Sequence, residues 1–406
     1  MGALSHIRVL DLSRVLAAPW ATQILGDLGA EVIKIEKPCE GDETRHFGPP
    51  FLEANGKRGD AVYYLSANRN KKSVAIDFAK PEGAVLIKRL ARRAHVVVEN
   101  FKTGSLAKYG LDYESLAGEN PALVYCSLTG FGHDGPYKDK AGYDYLIQGM
   151  GGLMSITGQP DGSPGAEPMK AGVAVSDIFT GLYATIAIQA ALIHRARTGE
   201  GQSIDMALFD CQAAVLANQA MNYLSGNMSP TRLGNAHPNI VPYQVFKTAD
   251  GHIILATAND AQFRRFCSAA GVDHISTDPR YATNAGRVDH RAEVVALLTP
   301  LFASRTTGGW IALLETANVP CGPINNVEQV FSDPQAVARG LKLAMPHASG
   351  RDVDLVASPL RLSRTPPEYR NAPPTLGQHT REVLSGILSL EAREIDRLAA
   401  AGIIGL

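Results

Sequence analysis

The strongest constraint on this chain is the way short apolar runs alternate with helix-forming stretches through its first third. Ile7 to Leu12 (IRVLDL), Glu31 to Lys37 (EVIKIEK), Ser73 to Phe78 (SVAIDF), His95 to Glu99 (HVVVE) and Ala122 to Leu128 (ALVYCSL) are rich in Val, Ile and Leu. Such runs suit strands buried on both faces. Between them, Pro19 opens the helical stretch WATQILGDLGA, which stops near Gly29, and Pro81 to Ala94 has the apolar spacing of an amphipathic helix. This βαβ rhythm predicts an α/β fold with a parallel sheet covered by helices. The polar Gly/Pro-rich segment GDETRHFGPPFLEANGKRGD is expected to be loop or short turns.

From Tyr143 to Arg197 the pattern is mainly helical, broken by the loop TGQPDGSPGAEP, and Asp210 to Leu224 gives another apolar helix. After Gly226 the character changes. VPYQVFKTADGHIILAT predicts a hairpin turned at Asp250-Gly251, so residues 226–333 form a smaller α+β domain after a large domain over 1–225. A Pro-rich extended tail begins near Ser358 and ends in a helix around Glu391 to Ala401.

With 45% hydrophobic and 19% charged residues, the 406-residue chain can bury a large core. A net charge of −1 supplies no global field to draw it onto nucleic acid or an anionic membrane. No run of about eighteen apolar residues marks a membrane span, and the start lacks a secretory pattern, so a cytoplasmic location is expected. Cys39, Cys126, Cys211, Cys267 and Cys321 are widely spaced without a Cys-x-x-Cys motif. Reduced thiols are expected, and no metal site.

Three constellations carry polar chemistry. Lys34, Lys37, Arg69-Asn70-Lys71-Lys72, Asn100-Phe101-Lys102 and Lys108 cluster around strand ends, where open parallel sheets bind ligands. Lys37 and Lys102 directly follow strands and are placed to reach phosphates, although a solvated lysine is the plainer account of each. Next, Gly172-Val173-Ala174-Val175-Ser176-Asp177 sets one carboxylate between an expected apolar strand and an apolar helix running to His194. Asp177 is read either as the helix cap or as a nucleophile toward an activated acyl group. The third is the loop Arg232 to Pro238 (RLGNAHP), a structural turn or a binding loop.

VLDLSRVLAAPWATQILGDLGAEVIKIEKP, NRNKKSVAIDF, VVVENFKTGSLAKYGL, SLTGFGHDGPYKDKAGYD, the Asp177 segment, TGEGQSIDMALFD and the late GQHT together resemble the class III CoA-transferases. GPPF, RLGNAHPNIVPYQVFKT and CGPINNVEQVF resemble the members that move CoA from succinyl-CoA to dicarboxylates such as glutarate, 3-hydroxy-3-methylglutarate or itaconate. The resemblance implies an interlocked homodimer whose subunits have a Rossmann-like large domain, completed here by residues 334–406, and a small inserted domain. It puts the nucleophile on Asp177 and coenzyme A contacts on Val15, Leu16, Ala17, Lys37, Asn100, Phe101, Lys102, Lys108 and Tyr143. Acyl-CoA then enters as substrate, with no permanently bound cofactor.

The formyl-CoA branch has glutamine where Leu16 stands and a glycine-run loop that is missing here, which argues against oxalate and formate. A basic family position falls on Ala79. Arg45, Arg232 and His237 are the candidate partners for a second substrate carboxylate. Two other readings stay open. One is an α-methylacyl-CoA racemase of the same fold, whose catalytic histidine falls on Tyr143, a poor base at neutral pH. The other is a non-catalytic CoA-binding protein.

Overall fold

The computed structural model describes residues 1–54 and 56–406. Asn55, inside the polar segment expected to be loop, lies outside the described residues. The chain divides into two compact units. The larger comprises Met1–Leu153, Lys170–Asn227 and Gln335–Leu406, and the smaller comprises Met154–Met169 and Met228–Pro334.

The large unit is built on strands β1 (Arg8–Asp11), β2 (Glu31–Glu36), the hairpin strands β3 (Phe51–Ala54) and β4 (Lys57–Ala61), β5 (Lys71–Ile76), β6 (Val96–Glu99), β7 (Val124–Thr129) and β8 (Gln202–Ala207). The smaller unit carries β9 (Tyr243–Lys247), β10 (His252–Ala256) and β11 (Cys321–Pro323). After it, β12 (Lys342–Pro346) and β13 (Asp352–Val356) pair with each other, and β14 (Ile404–Gly405) ends the chain. The main sheet runs β14-β5-β2-β1-β6-β7-β8, parallel throughout except for β14, which pairs antiparallel with β5. Counting its parallel strands alone, the order is 3-2-1-4-5-6, the doubly wound arrangement that reverses direction between β1 and β6.

Alternate residues of these strands enter two separate cores, which explains their continuous apolar character. Leu10, Ile33, Val74 and Ile76 pack with Leu86, Ile87 and Leu90 of the Pro81–Ala91 helix and with Val383, Leu384, Ile395 and Leu398 of two C-terminal helices. Val9, Val32, Val96, Val98 and Val124 face the other way, toward Ala18, Ala21 and Leu25 of the Ala17–Asp27 helix and Ala184 and Ile188 of the long Val175–Thr198 helix. The Pro-rich tail has no regular structure over 357–376. It is tied along the large unit by Asn70, whose N–H donates to Asn371 O, and by Arg370, whose guanidinium donates to Ala30 O at 2.8 Å.

Two expectations are corrected. The segment over 41–60 is not only loop: it holds a short 3-10 helix, Glu43–His46, and the β3–β4 hairpin. Nor is there a strand before Asp177, because Val173 is 66% exposed and the helix begins at Val175.

In the smaller unit β9 and β10 form the hairpin expected around Asp250-Gly251, and β11 adds to its edge. Phe246, Phe266, Phe302 and Trp310 stack beneath it, with Phe246 and Phe302 ring centres 4.5 Å apart. The Met154–Met169 segment joins this unit through Gly158 O, which accepts from Gly234 N at 3.0 Å.

Candidate active site

The chain leaves β1 at Asp11, a fully buried carboxylate. One of its oxygens accepts from the backbone N–H and hydroxyl of Ser13, and the other from Thr22 Oγ1 at 2.6 Å and Lys71 Nζ at 3.1 Å. Lys34, also fully buried, donates to Ser13 O and to Asp42 Oδ2, both at 2.8 Å. Burial opposes charge on every member; the alternating signs outweigh it at Asp11, Lys34 and Asp42, whereas at Lys71 burial prevails and lowers the ammonium to about 8. Asp42 is held down to about 2, chiefly by Lys34 against the effect of its burial. Lys34 and Lys71, placed among strand-end cations by sequence, are therefore committed inside the protein and are not ligand contacts.

This network pins the turn over residues 13–16. There Val15 adopts φ 67°, a left-handed conformation that a β-branched residue enters only against steric resistance. Asn100, just beyond β6, clasps the same turn: its Oδ1 accepts from Arg14 N at 2.9 Å and its Nδ2 donates to Arg14 O at 2.7 Å. Asn100 thus joins the loops following β1 and β6 across the point where the sheet order reverses. Glu99 orients Phe101, two residues on, by accepting from its N–H at 2.7 Å, and burial pushes the Glu99 acid up to about 7.

A cavity of about 370 Å³ opens at this switch point, within the size range of small-molecule sites. Val15, Leu16, Ala17, Asn100, Phe101, Lys102 and Tyr143, seven of the expected coenzyme A contacts, line it together with Asp177. Lys37 lies in an adjoining cavity that shares Arg14, Glu43 and Phe101 with the first, and its ammonium pairs with Glu40 at 2.6 Å. Lys108 lines neither cavity and sits 4.8 Å above the ring of Tyr109.

Arg45 is corrected as a substrate contact. It is buried, forked onto Glu36 at 2.7 and 2.8 Å, paired with Asp60 at 2.6 Å, and bonded to Tyr64 and Pro374 O, so its positive charge is already matched. Arg232 and His237 belong to the smaller unit, where Arg232 pairs with Asp161 and the His237 ring packs against Tyr243 at 5.3 Å.

Several lining residues were not singled out from the sequence. Arg14 and Glu43 form an ion pair on the wall common to both cavities, with the Arg14 guanidinium 4.7 Å over Phe101. Lys138 and Lys140 come from the 130–142 loop, which closes on itself because Gly130 and Gly142 touch: a Cβ on either would lie 2.5 Å or less from the other's backbone. Paired glycines flanking a basic stretch were the available signal for that loop.

Asp177 is 9% exposed and occupies the first turn of the Val175–Thr198 helix without capping it. Burial, and secondarily the nearby charge of Asp144, push its carboxyl up to about 7. The N–H groups at a helix start are natural donors to an oxyanion. Instead they are taken: Ser176 and Asp177 donate to Asp144 Oδ1 at 2.8 and 3.2 Å, and Val175 donates to Val173 O. Tyr143 is 70% exposed at the cavity mouth.

A doubly wound sheet, a cleft at its switch point and a buried carboxylate on the cleft wall define a protein suited to covalent acyl chemistry on a nucleotide-bearing substrate. The chain belongs to the CoA-transferase family III, whose model matches residues 4–380. It is 55% identical to a succinate–glutarate CoA-transferase of Agrobacterium fabrum, over 96% of each chain. It is 43% identical to a mouse succinyl-CoA:glutarate CoA-transferase, covering all of this chain and 91% of that one. Among solved structures, a CAIB/BAIF family protein from Brucella suis superposes with a TM-score of 0.83 at 50% identity, covering 95% of this chain and 99% of the other.

Proposed function

We propose that this enzyme moves coenzyme A from succinyl-CoA to a small dicarboxylate, with glutarate the first acceptor to test and 3-hydroxy-3-methylglutarate and itaconate next. The observation that carries the reading is Asp177, a carboxylate on the wall of the cavity lined by Val15, Leu16, Ala17 and Tyr143. The substrates named for the Agrobacterium and mouse relatives support the choice of donor and acceptor.

In the proposed sequence the Asp177 carboxylate attacks the succinyl thioester carbonyl, expelling CoA thiolate and leaving a mixed anhydride. The thiolate attacks the aspartyl carbonyl, releasing succinate and forming an aspartyl-CoA thioester. The acceptor carboxylate displaces the thiolate to form a second anhydride. Finally the thiolate attacks the acceptor's carbonyl, giving the new acyl-CoA and restoring Asp177. One thioester is made for each one broken, so no other energy source is needed, and the protein carboxylate divides one transfer into steps of lower barrier.

Coenzyme A is proposed to lie along the switch-point cleft, its phosphates met by Lys102 with Lys138 and Lys140, and by Lys37 in the adjoining cavity. Lys108 is a more distant candidate. With the nucleophile helix's own N–H groups occupied, Ala17 N is the proposed oxyanion donor: it opens a helix whose N-cap residue, Leu16, offers no capping side chain. Arg232 and His237 remain the proposed partners of the second substrate carboxylate.

Incubating the enzyme with succinyl-CoA and hydroxylamine should convert Asp177 to a hydroxamate visible in its tryptic peptide. Transfer assays should favour glutarate over butyrate, because a monocarboxylate offers no second anion to a cation placed for the distal carboxylate. Equal rates with butyrate and glutarate would remove the dicarboxylate reading while leaving the transferase reading intact. Arg232→Ala should erase the preference if Arg232 is that cation.

A further inference from the structure

We infer that Asp144 is a positioning residue for the transfer: it holds the first turn of the helix that carries Asp177, and it places a second negative charge beside the nucleophile. The inference rests on the reading of Asp177 as the nucleophile.

The Val175–Thr198 helix cannot cap itself, because its N-cap residue is Ala174, whose methyl group accepts nothing. Asp144 supplies the missing acceptor from thirty-three positions upstream of the nucleophile. Its Oδ1 receives the N–H of Ser176 at 2.8 Å and that of Asp177 itself at 3.2 Å. Its Oδ2 is fixed by Gln148 Nε2 at 2.6 Å, and Gln148 is fully buried, with Oε1 accepting from Ala171 N at 2.8 Å. Ser176 is anchored as well, through its hydroxyl to Gln212 Oε1 at 2.7 Å. The nucleophile's backbone is thus held by a carboxylate whose orientation is itself held. Asp144 and Tyr143 are neighbours on the same cavity wall, so the hold spans the expected coenzyme site.

The charge has a separate consequence. While Asp177 is a free carboxylate, two anions share the site. Once it is acylated, as anhydride or thioester, one of the two charges has gone. Asp144 therefore favours the covalent forms over the resting enzyme and strengthens the carboxylate as a nucleophile. The group that acts electrostatically on Asp177 is Asp144, and these two carboxylates in turn both oppose ionisation of the Tyr63 hydroxyl. The charged residues elsewhere on the cavity lining are Arg14, Glu43, Lys102, Lys138, Asp139 and Lys140. None of these contributes to the shift at Asp177, which comes from burial and Asp144 alone.

Two variants separate hold from charge. Asp144→Asn removes the charge and keeps one acceptor oxygen for the helix, at the expense of the bond from Gln148 Nε2, which would meet the amide nitrogen; Asp144→Ala removes the charge and every acceptor. With the charge gone the Asp177 carboxylate is less penalised, so it stays ionised to lower pH. The ascending limb of kcat/KM should move toward acid by about one pH unit. The fraction of enzyme trapped by hydroxylamine as acyl-Asp177, with succinyl-CoA and no acceptor, should fall in the same variant. Asp144→Ala should lose a further ten- to roughly a hundredfold in kcat, the range for a slightly misplaced reacting group.

A limb and trapped fraction in Asp144→Asn that coincide with wild type would overturn the inference. Should Asp144→Ala not fold, those two readouts in Asp144→Asn decide alone. Asp177→Ala, assayed in parallel, separates the two levels. Full transfer by that variant overturns the nucleophile reading and this inference with it. An inactive Asp177→Ala beside unaffected Asp144 variants overturns this inference only.

Discussion

Burial deprives the Asp177 carboxylate of water, and the neighbouring Asp144 adds repulsion, so the folded protein holds this proton up to about pH 7, whereas the unfolded chain releases it around 3.8. Between those values the folded state binds the extra proton, and stability falls as pH rises through the window. Above pH 7 the whole penalty is present. Asp177→Asn cannot ionise and escapes it. At pH 8 that variant should be more stable than wild type by at most about 4 kcal/mol, and the difference should vanish near pH 4 in urea midpoints measured side by side. The same variant should transfer no CoA. Lys102→Ala should weaken coenzyme A binding about tenfold at low salt and by less at high salt, where exposed charges are screened. Unchanged affinity at low salt would return Lys102 to an ordinary solvated side chain. At this scale the sequence was legible where a motif brought the residue to the cavity lining, as with Asp177 and Asn100, and opaque where a partner decided its state. Arg45 stands in a polar segment and looks free, yet Glu36, at the end of β2, neutralises it. Asp144 acts on a helix whose start is more than thirty residues away, a distance that no local spacing rule spans.

Among the elements, five of the six parallel strands were plain in the sequence because burial on both faces leaves little room for polar residues; β8, largely exposed and carrying Gln202, Ser203 and Asp205, was not read as a strand. The hairpin β3–β4 was hidden for the opposite reason: its residues are largely polar and Gly-punctuated, and only pairing across the turn makes them strands. The segment before Asp177 was misread as a strand because two of its valines, Val173 and Val175, alternate with small residues, although Val173 faces solvent. Helix crossing sets a further requirement that periodicity does not reveal. Gly181, one turn beyond the nucleophile, lets the Val175–Thr198 helix press against the start of the Ala17–Asp27 helix: a Cβ there would lie 2.5 Å from Ala17 O and 3.2 Å from the Trp20 side chain. Backbone cannot yield as a flexible side chain does, so Gly181→Ala must part the two helices. The expected cost is about 1–3 kcal/mol of stability. Because the separation falls between Asp177 and the Leu16–Ala17 wall of the cavity, kcat should drop by more than the lost stability accounts for at temperatures where the variant remains folded. Wild-type kcat in a folded Gly181→Ala protein would show that the crossing distance is not critical.

For the whole molecule, the informative surface is the uncovered side of the Val175–Thr198 helix. Phe179, Leu182, Tyr183, Ile186 and Ile193 are all between 38% and 64% exposed, and their spacing places them along one helical stripe. By length and composition this helix could cross a membrane, which the sequence, taken without its three-dimensional packing, did not suggest. Its other side argues otherwise: Thr180, Ala184, Thr185, Ile188 and Ala191 are buried in the large unit, and Ala184 and Ile188 belong to the same core as the main sheet. Membrane insertion would dismantle that core and strip Asp177 of the Asp144–Gln148 framework that holds its helix start. A second copy of the chain would cover the stripe without any such loss, in keeping with the homodimer that the family resemblance implies. Contiguous exposed apolar residues of this kind are characteristic of interaction surfaces. Wild-type protein should therefore sediment as a dimer at micromolar concentration and should not float with anionic vesicles. Ile186→Glu would bury a carboxylate without a partner at that interface. It should shift the sedimentation pattern to monomer and reduce transfer, while the far-ultraviolet circular dichroism stays that of the folded chain. A wild-type monomer with full turnover would leave the stripe unexplained by self-association, and vesicle flotation would reassign it to the membrane.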